Sequence, residues 1–471
     1  MKKPDVPSAI SSQSHNLTIS GKDIAYHFHS YTNPVLHEEI GPQIISKGQG
    51  IYVYDEAGKK YIEGMAGLWC TSLGFSEERL IEAATKQMRQ LPFYHTFNHR
   101  VAPIVAELAE RLIDMAPVPM SKAYFTNSGS EANDSIIKLI WYYNNALGRR
   151  QKKKIISRHR AYHGVTIATA SLTGRANSHI DFDLPMAGII HTDCPHFYRQ
   201  GLPGETEADF GARCADNLEK LILKEGPETI AAFIAEPVMA AGGVIIPPKG
   251  YFDKVQAVLK KYDILLIADE VVCGFGRTGK MFGCELYNLK PDFITLAKGL
   301  SSAYLPIGAV LISEKIYEVV RQNADKIGTF AHGFTYSGHP VSAAVAVECL
   351  KIYEEENTLN HIQQVSVLFQ KQLQALQNHP LVGEVRGIGL LGGVELVADK
   401  KTRRAFDVKM NVGRETLKFL LKKGLILRNY GDTITCCPPL IINAEQITML
   451  FKLLWQGLDD TQFWLNNSSA S

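Results

Sequence analysis

ILLIADEV (264–271) and DFITLAKGL (292–300) decide how this chain reads. Each runs through consecutive apolar residues, as a strand covered on both faces does, and each then delivers one charged side chain: Asp269 in the first, Lys298 in the second. In open α/β sheets, ligands bind outside the carboxyl ends of the strands. A carboxylate at such an end is costly without a cationic partner, and a lysine is seldom buried without a reason. On its own, Asp269 reads equally as a helix cap or as the partner of an arginine such as Arg277. On its own, Lys298 reads as a side chain that snorkels to the surface. The pair is more specific. The two positions are 298 − 269 = 29 residues apart, the length of one strand-to-strand step with its connection.

The pattern around them is α/β. KAYFTNSGS (122–130) reads as a strand ending in a small-residue turn, EANDSIIKLIWYYNNALG (131–148) as a helix, and KIISRHRAYHG (154–164) as a strand and loop. TIAAFIAEPV (229–238) reads as a buried strand and YFDKVQAVLKKYD (251–263) as a helix. Alternation of this kind predicts a mostly parallel sheet. Before it, GQGIYVYDEAGKKYIEG (48–64) alternates like short strands around a turn, and SEERLIEAATKQMRQL (76–91) is a helix expected to be capped by Ser76. After residue 339 the chain reads as a helix, a hairpin over VGEVRGIGLLGGVELV (382–397), a helix over NVGRETLKFLLKKG (411–424), and strands in LILRNYGDTITCCPPL (425–440). The expected organisation is a mobile tail at 1–20, an N-terminal part of a small domain at 21–66, a large domain at 67–338 and a C-terminal small domain at 339–471. The final NNSSAS (466–471) also reads as a tail.

Composition narrows the function. The chain has 471 residues, 45% hydrophobic and 21% charged, with a net charge of +2, so no broad field marks it as a binder of nucleic acid or membrane. The densest basic run, Arg149–Lys154, reads as a solvated loop. There is no stretch of 18 apolar residues, and no apolar segment follows the opening lysines. Eight scattered cysteines without a C-x-x-C pair suit a reducing cytoplasm. GIGLLG (387–392) matches a dinucleotide fingerprint but lies between strands and opens no helix. The histidine pairs His95/His99 and His159/His163 lack the glutamate of a zinc helix, so no metal is expected.

An ammonium and a carboxylate on neighbouring strand ends fit pyridoxal 5′-phosphate (PLP). Its aldehyde needs an amine for a Schiff base, and its ring nitrogen needs a carboxylate to keep a proton. Lys298, displaced by a substrate amine, can then act as a general base. In TNSGSEAN (126–133), Ser128, Gly129 and Ser130 would offer backbone N–H groups and hydroxyls at a helix start, where a phosphate binds readily. The plain alternative is a Ser128 cap followed by Glu131. Tyr162, beside His163, lies at a strand end where an aromatic ring can stack on the cofactor, or simply pack in the core.

With these residues in place, the sequence resembles the class III aminotransferases of PLP fold type I, most of all the ω-amine or ω-amino acid:pyruvate branch, from about residue 30 to 455. The motifs are GMAGLWC (64–70), TNSGSEAN, YHG (162–164), EPV…GGV (236–244), ADEVVCGFGRTG (268–279), AKGLSSAYLPIGAV (297–310), HGFTYSGHP (332–340) and RNYGD…PPL (428–440). The resemblance implies that Lys298 is the Schiff-base lysine and Asp269 the partner of the ring nitrogen. It places Ser128, Gly129 and Ser130 in the phosphate cup, Tyr162 and Val271 on the ring, and His163 and Glu236 near the cofactor. Thr335 matches the threonine lent to the phosphate of a neighbouring subunit, which implies a homodimer, or dimers paired as a tetramer. Tyr31, Trp69 and Phe97 match aromatic pocket positions, and Arg428 matches a mobile arginine that grips the acceptor carboxylate. Many relatives carry Gln-Gly after EPV; Met239 and Ala240 stand here and predict a less polar pocket. The implied reaction moves an amino group from a terminal amine or ω-amino acid to a keto acid, pyruvate foremost, by a ping-pong route. The alternatives are a PLP-dependent decarboxylase or aminomutase of the same fold, and a non-catalytic PLP-fold binding protein.

Overall fold

The computed structural model describes residues 17–468. At its centre is a seven-stranded sheet. In spatial order its strands are Lys122–Thr126, Gly308–Ile312, Phe293–Leu296, Leu265–Asp269, Ile230–Ala235, Lys154–Arg158 and Ile189–Thr192. Gly308–Ile312 is antiparallel to both neighbours; every other pairing is parallel. The expected fold, a mostly parallel central sheet with smaller sheets from the chain ends, is the one observed. Ile230–Ala235, Leu265–Asp269 and Phe293–Leu296 are buried at every position, which is why they read as unbroken apolar runs. Asp269 pairs with Thr295 in register, so the residue leaving one strand and the lysine leaving the next emerge on the same edge.

Two four-stranded sheets flank this core. In one, Ile45–Gln49, Tyr52–Asp55 and Lys60–Glu63 form a meander, and Leu425–Ile426 joins Lys60–Glu63 in parallel, so the two ends of the chain meet. In the other, the hairpin Val382–Ile388/Leu391–Leu396 continues into Thr433–Cys436 and ends on the edge strand Arg428–Tyr430. The chain passes from one sheet to the other at Leu427, which sets Arg428 at the start of an edge strand. GIGLLG is the turn of the hairpin, with Gly389 in the left-handed region at φ 56°.

Several local expectations need correction. Ser76 does not cap the helix Glu78–Gln90. Glu77 does, its carboxylate accepting from the Arg79 N–H, while Ser76 stands at φ 61° and donates its hydroxyl to Gly48 O at 2.7 Å. Of the expected N-terminal tail, residues 1–16 lie outside the described residues, but Thr18 caps a helix over Ile19–Tyr26, accepting from Gly21 N at 3.1 Å. At the other end, the helix Ala444–Ser468 runs into NNSSAS, of which 469–471 lie outside the described residues. Apolar residues buried at helical spacing, from Ile447 through Leu458 to Leu465, carry that helix into its polar end. The basic run is not a free loop either. Lys152 is buried, Lys153 donates to Trp141 O at 2.8 Å, and Lys154 pairs with Glu225 at 2.7 Å.

The helices Ile19–Tyr26 and Pro34–Ile40 went unread in the sequence, and with the turn between them they form an N-terminal strap. One carboxylate ties it together. Asp23 accepts from His27 Nδ1 at 2.9 Å, His29 Nε2 at 2.7 Å and His37 Nε2 at 3.0 Å. The His27 hydrogen bond above all holds the Asp23 carboxyl down at about 2. The strap carries Tyr31, at φ 51°. No helix among the described residues is long and apolar enough to cross a membrane.

Candidate active site

Five segments leave the central sheet at the carboxyl ends of its parallel strands and close around a cavity of about 370 Å³. Ser128, Gly129 and Ser130 come from one end, Tyr162 and His163 from another. Glu236 follows a third strand, Asp269 and Val271 a fourth, and Lys298 the fifth. All nine border the same cavity, which is of a size to hold a small cofactor.

Lys298 begins the single 3₁₀ turn Lys298–Leu300, directly after its strand, at φ 50°. A non-glycine residue held there costs on the order of 1–3 kcal/mol and persists only where its surroundings enforce it. They do so one residue on. The Tyr353 hydroxyl donates to Gly299 O at 2.8 Å, and a side chain at 299 would come within 3.2 Å of the Phe275 ring. Burial pulls the Lys298 ammonium below its ordinary range, against the opposing pull of Cys70 and Asp269. A larger share of neutral amine at physiological pH follows, and that is the form that attacks a carbonyl.

Asp269 is buried, and neither plain alternative for it holds. Its Oδ2 accepts from His163 Nδ1 at 2.8 Å and from Asn133 Nδ2 at 2.9 Å; its Oδ1 accepts from Val271 N at 3.1 Å. Arg277 lies elsewhere, donating to Pro438 O at 2.6 Å. Asn133 is itself fixed, donating to His163 O at 2.8 Å and accepting from the Thr295 hydroxyl at 2.7 Å. His163 therefore acts through Asp269, and its Nε2 is buried with no hydrogen-bond partner. Glu236 accepts from Tyr162 N at 3.1 Å, and burial pushes its carboxyl upward. Burial, then the nearby Tyr31, pushes the Tyr162 phenol up to about 12.

At the far end of the cavity the Ser128 cap is present, its hydroxyl accepting from Glu131 N at 3.1 Å. Glu131 in turn accepts from Asn127 N at 2.7 Å. The cap and an anion cradle coexist, because Gly129 and Ser130 still border the cavity at the start of the helix Gly129–Ala146. A Cβ at 129 would sit 3.0 Å from Val271 Cγ2, so only glycine leaves that wall open.

Five expected residues do not border this cavity. Trp69 is buried in the core, at φ 65° on a kinked turn, and the neighbouring Cys70 lines the cavity instead. Phe97 is 42% exposed and borders a second cavity with Gly333 and His332. Thr335 is exposed. Tyr31 is 65% exposed, with its hydroxyl against that of Tyr162. Arg428 is exposed, and its charge reaches both Tyr162 and Glu63. Met239 and Ala240 are fully buried and do not line the cavity; Ala241 does, so the expected change in pocket polarity does not arise from that pair. Sequence reading missed Asn133, although it closes the TNSGSEAN motif, and missed Arg175, which no motif marked.

The residues fit PLP: an amine, a carboxylate locked by two neighbouring side chains, and a helix start with an open glycine wall share one cavity. The family described as aminotransferase class-III matches residues 36–458, and the chain belongs to it. It is a PLP-dependent aminotransferase. Gamma aminobutyrate transaminase 1, mitochondrial, of Solanum lycopersicum is 54% identical over 90% of this chain and 82% of its own length. Probable gamma-aminobutyrate transaminase 3, mitochondrial, of Oryza sativa subsp. japonica is 55% identical over 90% of this chain and 83% of its own. The omega transaminase from Pseudomonas jessenii in complex with PMP superposes with a TM-score of 0.94 at 52% identity, covering 96% of this chain and 99% of its own.

Proposed function

We propose that this enzyme transfers the terminal amino group of an ω-amino acid or amine, 4-aminobutyrate foremost, to pyruvate. The carrying observation is Arg428. It is exposed on an edge strand, has no ion-pair partner among the described residues, and lies near enough for its charge to act on Tyr162 at the cavity. A planar guanidinium left free in this way can grip the carboxylate of a keto acid and swing aside for an amine that lacks one. The names of the relatives support the donor.

When bound, PLP supplies the electron sink that stabilises charge left on the substrate carbon. Lys298 would hold its aldehyde, Asp269 its ring nitrogen, and Ser128, Gly129 and Ser130 its phosphate, with Tyr162 and Val271 on its faces and Glu236 beside it. Lys298 Nζ takes the proton from the substrate carbon that bears the amine. Asn133 and His163 keep the Asp269 carboxylate in one orientation, so no reorganisation is needed during reaction. The working unit is a homodimer in which Thr335 of each copy reaches the phosphate of the other and the aromatic positions Trp69 and Phe97 complete the substrate pocket. The exposure of Thr335 supports this, and light scattering of the purified protein tests it. The free cysteines support a reducing compartment, here the cytoplasm, which cell fractionation tests.

The test of the reaction is a donor and acceptor panel. Turnover of 4-aminobutyrate with pyruvate at several times the kcat/KM seen with 2-oxoglutarate is the expected result. A strong preference for 2-oxoglutarate would remove the role given to Arg428.

A further inference from the structure

Arg175 is a cation taken halfway out of water without an anion beside it. Its guanidinium lies 5.1 Å from the centre of the Tyr162 ring and 4.7 Å from that of Tyr430. One terminal nitrogen donates to the carbonyl of Ala241, while Nε is buried with no partner. Among the described residues no carboxylate pairs with it. Burial pulls its pKa down, opposed by the nearby Tyr430, Glu236, Tyr31 and Tyr162.

Other arginines among the described residues also lack a carboxylate, and three define what is different here. Arg160, half-buried and also against the Tyr430 ring, is held by His196 and the Gly242 carbonyl, neither of which lines the cofactor cavity. Arg158 and Arg277 are wholly buried on backbone carbonyls, where no ligand can reach. Arg175 is only half-buried, and two of its neighbours, Tyr162 and Ala241, line the cofactor cavity. Arg428, the other cation acting on Tyr162, is exposed and untethered. Two arginines thus flank one aromatic residue at the mouth of the cavity, one free and one braced by a carbonyl and two rings. Desolvating a charge is costly unless an anion arrives to pair with it, and a braced guanidinium gives up little freedom when it does.

We propose that Arg175 is a fixed anchor for the distal carboxylate of the donor, so that the site selects straight-chain ω-amino acids over plain amines. This rests on the ω-amino acid reading above. The amine end of the donor lies toward Lys298, its carboxylate pairs with Arg175, and Arg428 is left for the keto acid.

The experiment compares 4-aminobutyrate with 1-butylamine, the same chain without the carboxylate, in the wild-type holoenzyme and in Arg175→Leu and Arg175→Lys. Loss of a charge-assisted pair predicts that Arg175→Leu raises KM for 4-aminobutyrate roughly 10- to 100-fold more than KM for butylamine. Arg175→Lys recovers part of that ratio, because a point charge still attracts a carboxylate. An equal loss with both donors would reduce Arg175 to a brace for Ala241 and overturn the proposal. Competitive inhibition by butanoate, measured against butylamine, supplies a readout independent of donor turnover. Its Ki rises at least 10-fold in Arg175→Leu; an unchanged Ki overturns the anchor. If the wild type does not turn over 4-aminobutyrate at all, the donor reading fails, and the butanoate measurement still decides the role of Arg175.

Discussion

The floor of the cavity and its rim are built on opposite plans. On the floor, both oxygens of Asp269 are engaged, Asn133 makes three hydrogen bonds, and Asp269, Asn133, His163 and Thr295 are all buried. On the rim, Tyr31 is 65% exposed, Arg428 is exposed, and Arg175 rests on rings and one carbonyl. The floor handles the same cofactor atoms in every turnover, so a locked geometry lowers the barrier without cost at each cycle. The rim must accept a donor and then a different acceptor, and a site locked for one would reject the other.

The contrast breaks if floor substitutions prove milder than rim substitutions. The largest effect is expected from Lys298→Ala, which removes the amine proposed to move the proton; kcat should fall by roughly 10⁴-fold or more. Single-turnover kinetics with 4-aminobutyrate measures it. Asp269→Asn comes next. A carboxylate about 3 Å from a protonated ring nitrogen is worth roughly 5 kcal/mol at an effective dielectric of about 20, and part of that remains with an amide, so a loss of about 10³-fold in kcat is expected. Asn133→Ala should be milder, about 10-fold in kcat with about 1–3 kcal/mol lost from stability, because His163 still holds Asp269. Steady-state kinetics and thermal melts give both numbers.

How much of each region was legible follows from the same contrast. Asp269 and Lys298 each terminate a fully buried strand, and a charge at the end of an apolar run stands out in sequence. Ser128 to Ser130 were legible because a strand, a small-residue turn and a helix start follow one another within a few residues. Asn133 was harder, since its partners His163, Asp269 and Thr295 come from three other segments. The rim was least legible. Tyr31, Arg175 and Tyr430 lie on a strap, a loop and an edge strand that only the fold brings together, and an arginine after a glycine in SLTGRAN carries no local signal. Trp69 was legible only through a motif match: it follows the kink at Gly67, with φ 65° and ψ −89°, and in the single chain it is buried and does not border the cavity.

Behind the floor, Glu270 extends the contrast to pH. It is fully buried, accepting from Gly283 N at 2.8 Å and Cys284 N at 2.6 Å, and burial pushes its carboxyl up to about 7 from 4.5. The folded state therefore holds this proton more tightly than the unfolded state. The stability it contributes is complete below about pH 4.5 and is lost as pH rises through about 7. The change amounts to about 3 kcal/mol at most. Glu270→Gln cannot titrate, so its melting temperature should vary less between pH 5 and pH 8 than that of the wild type. Equal slopes would remove the linkage.

The smallest effect belongs to the rim. Tyr31→Phe removes one hydroxyl that faces Tyr162, on a strap whose position Asp23 and its three histidines already fix. The ring stays in place, so shape at the mouth is retained. An exposed hydrogen bond is worth about 1 kcal/mol or less, which bounds the change in KM for the amine donor at about fivefold and leaves kcat near the wild-type value. Tyr162 should also become easier to deprotonate, since Tyr31 is one of the groups that raise it toward 12. A fall in kcat as large as that of Asn133→Ala would mean that the rim is as tightly organised as the floor, and that the strap takes part in the chemistry rather than in admitting substrate.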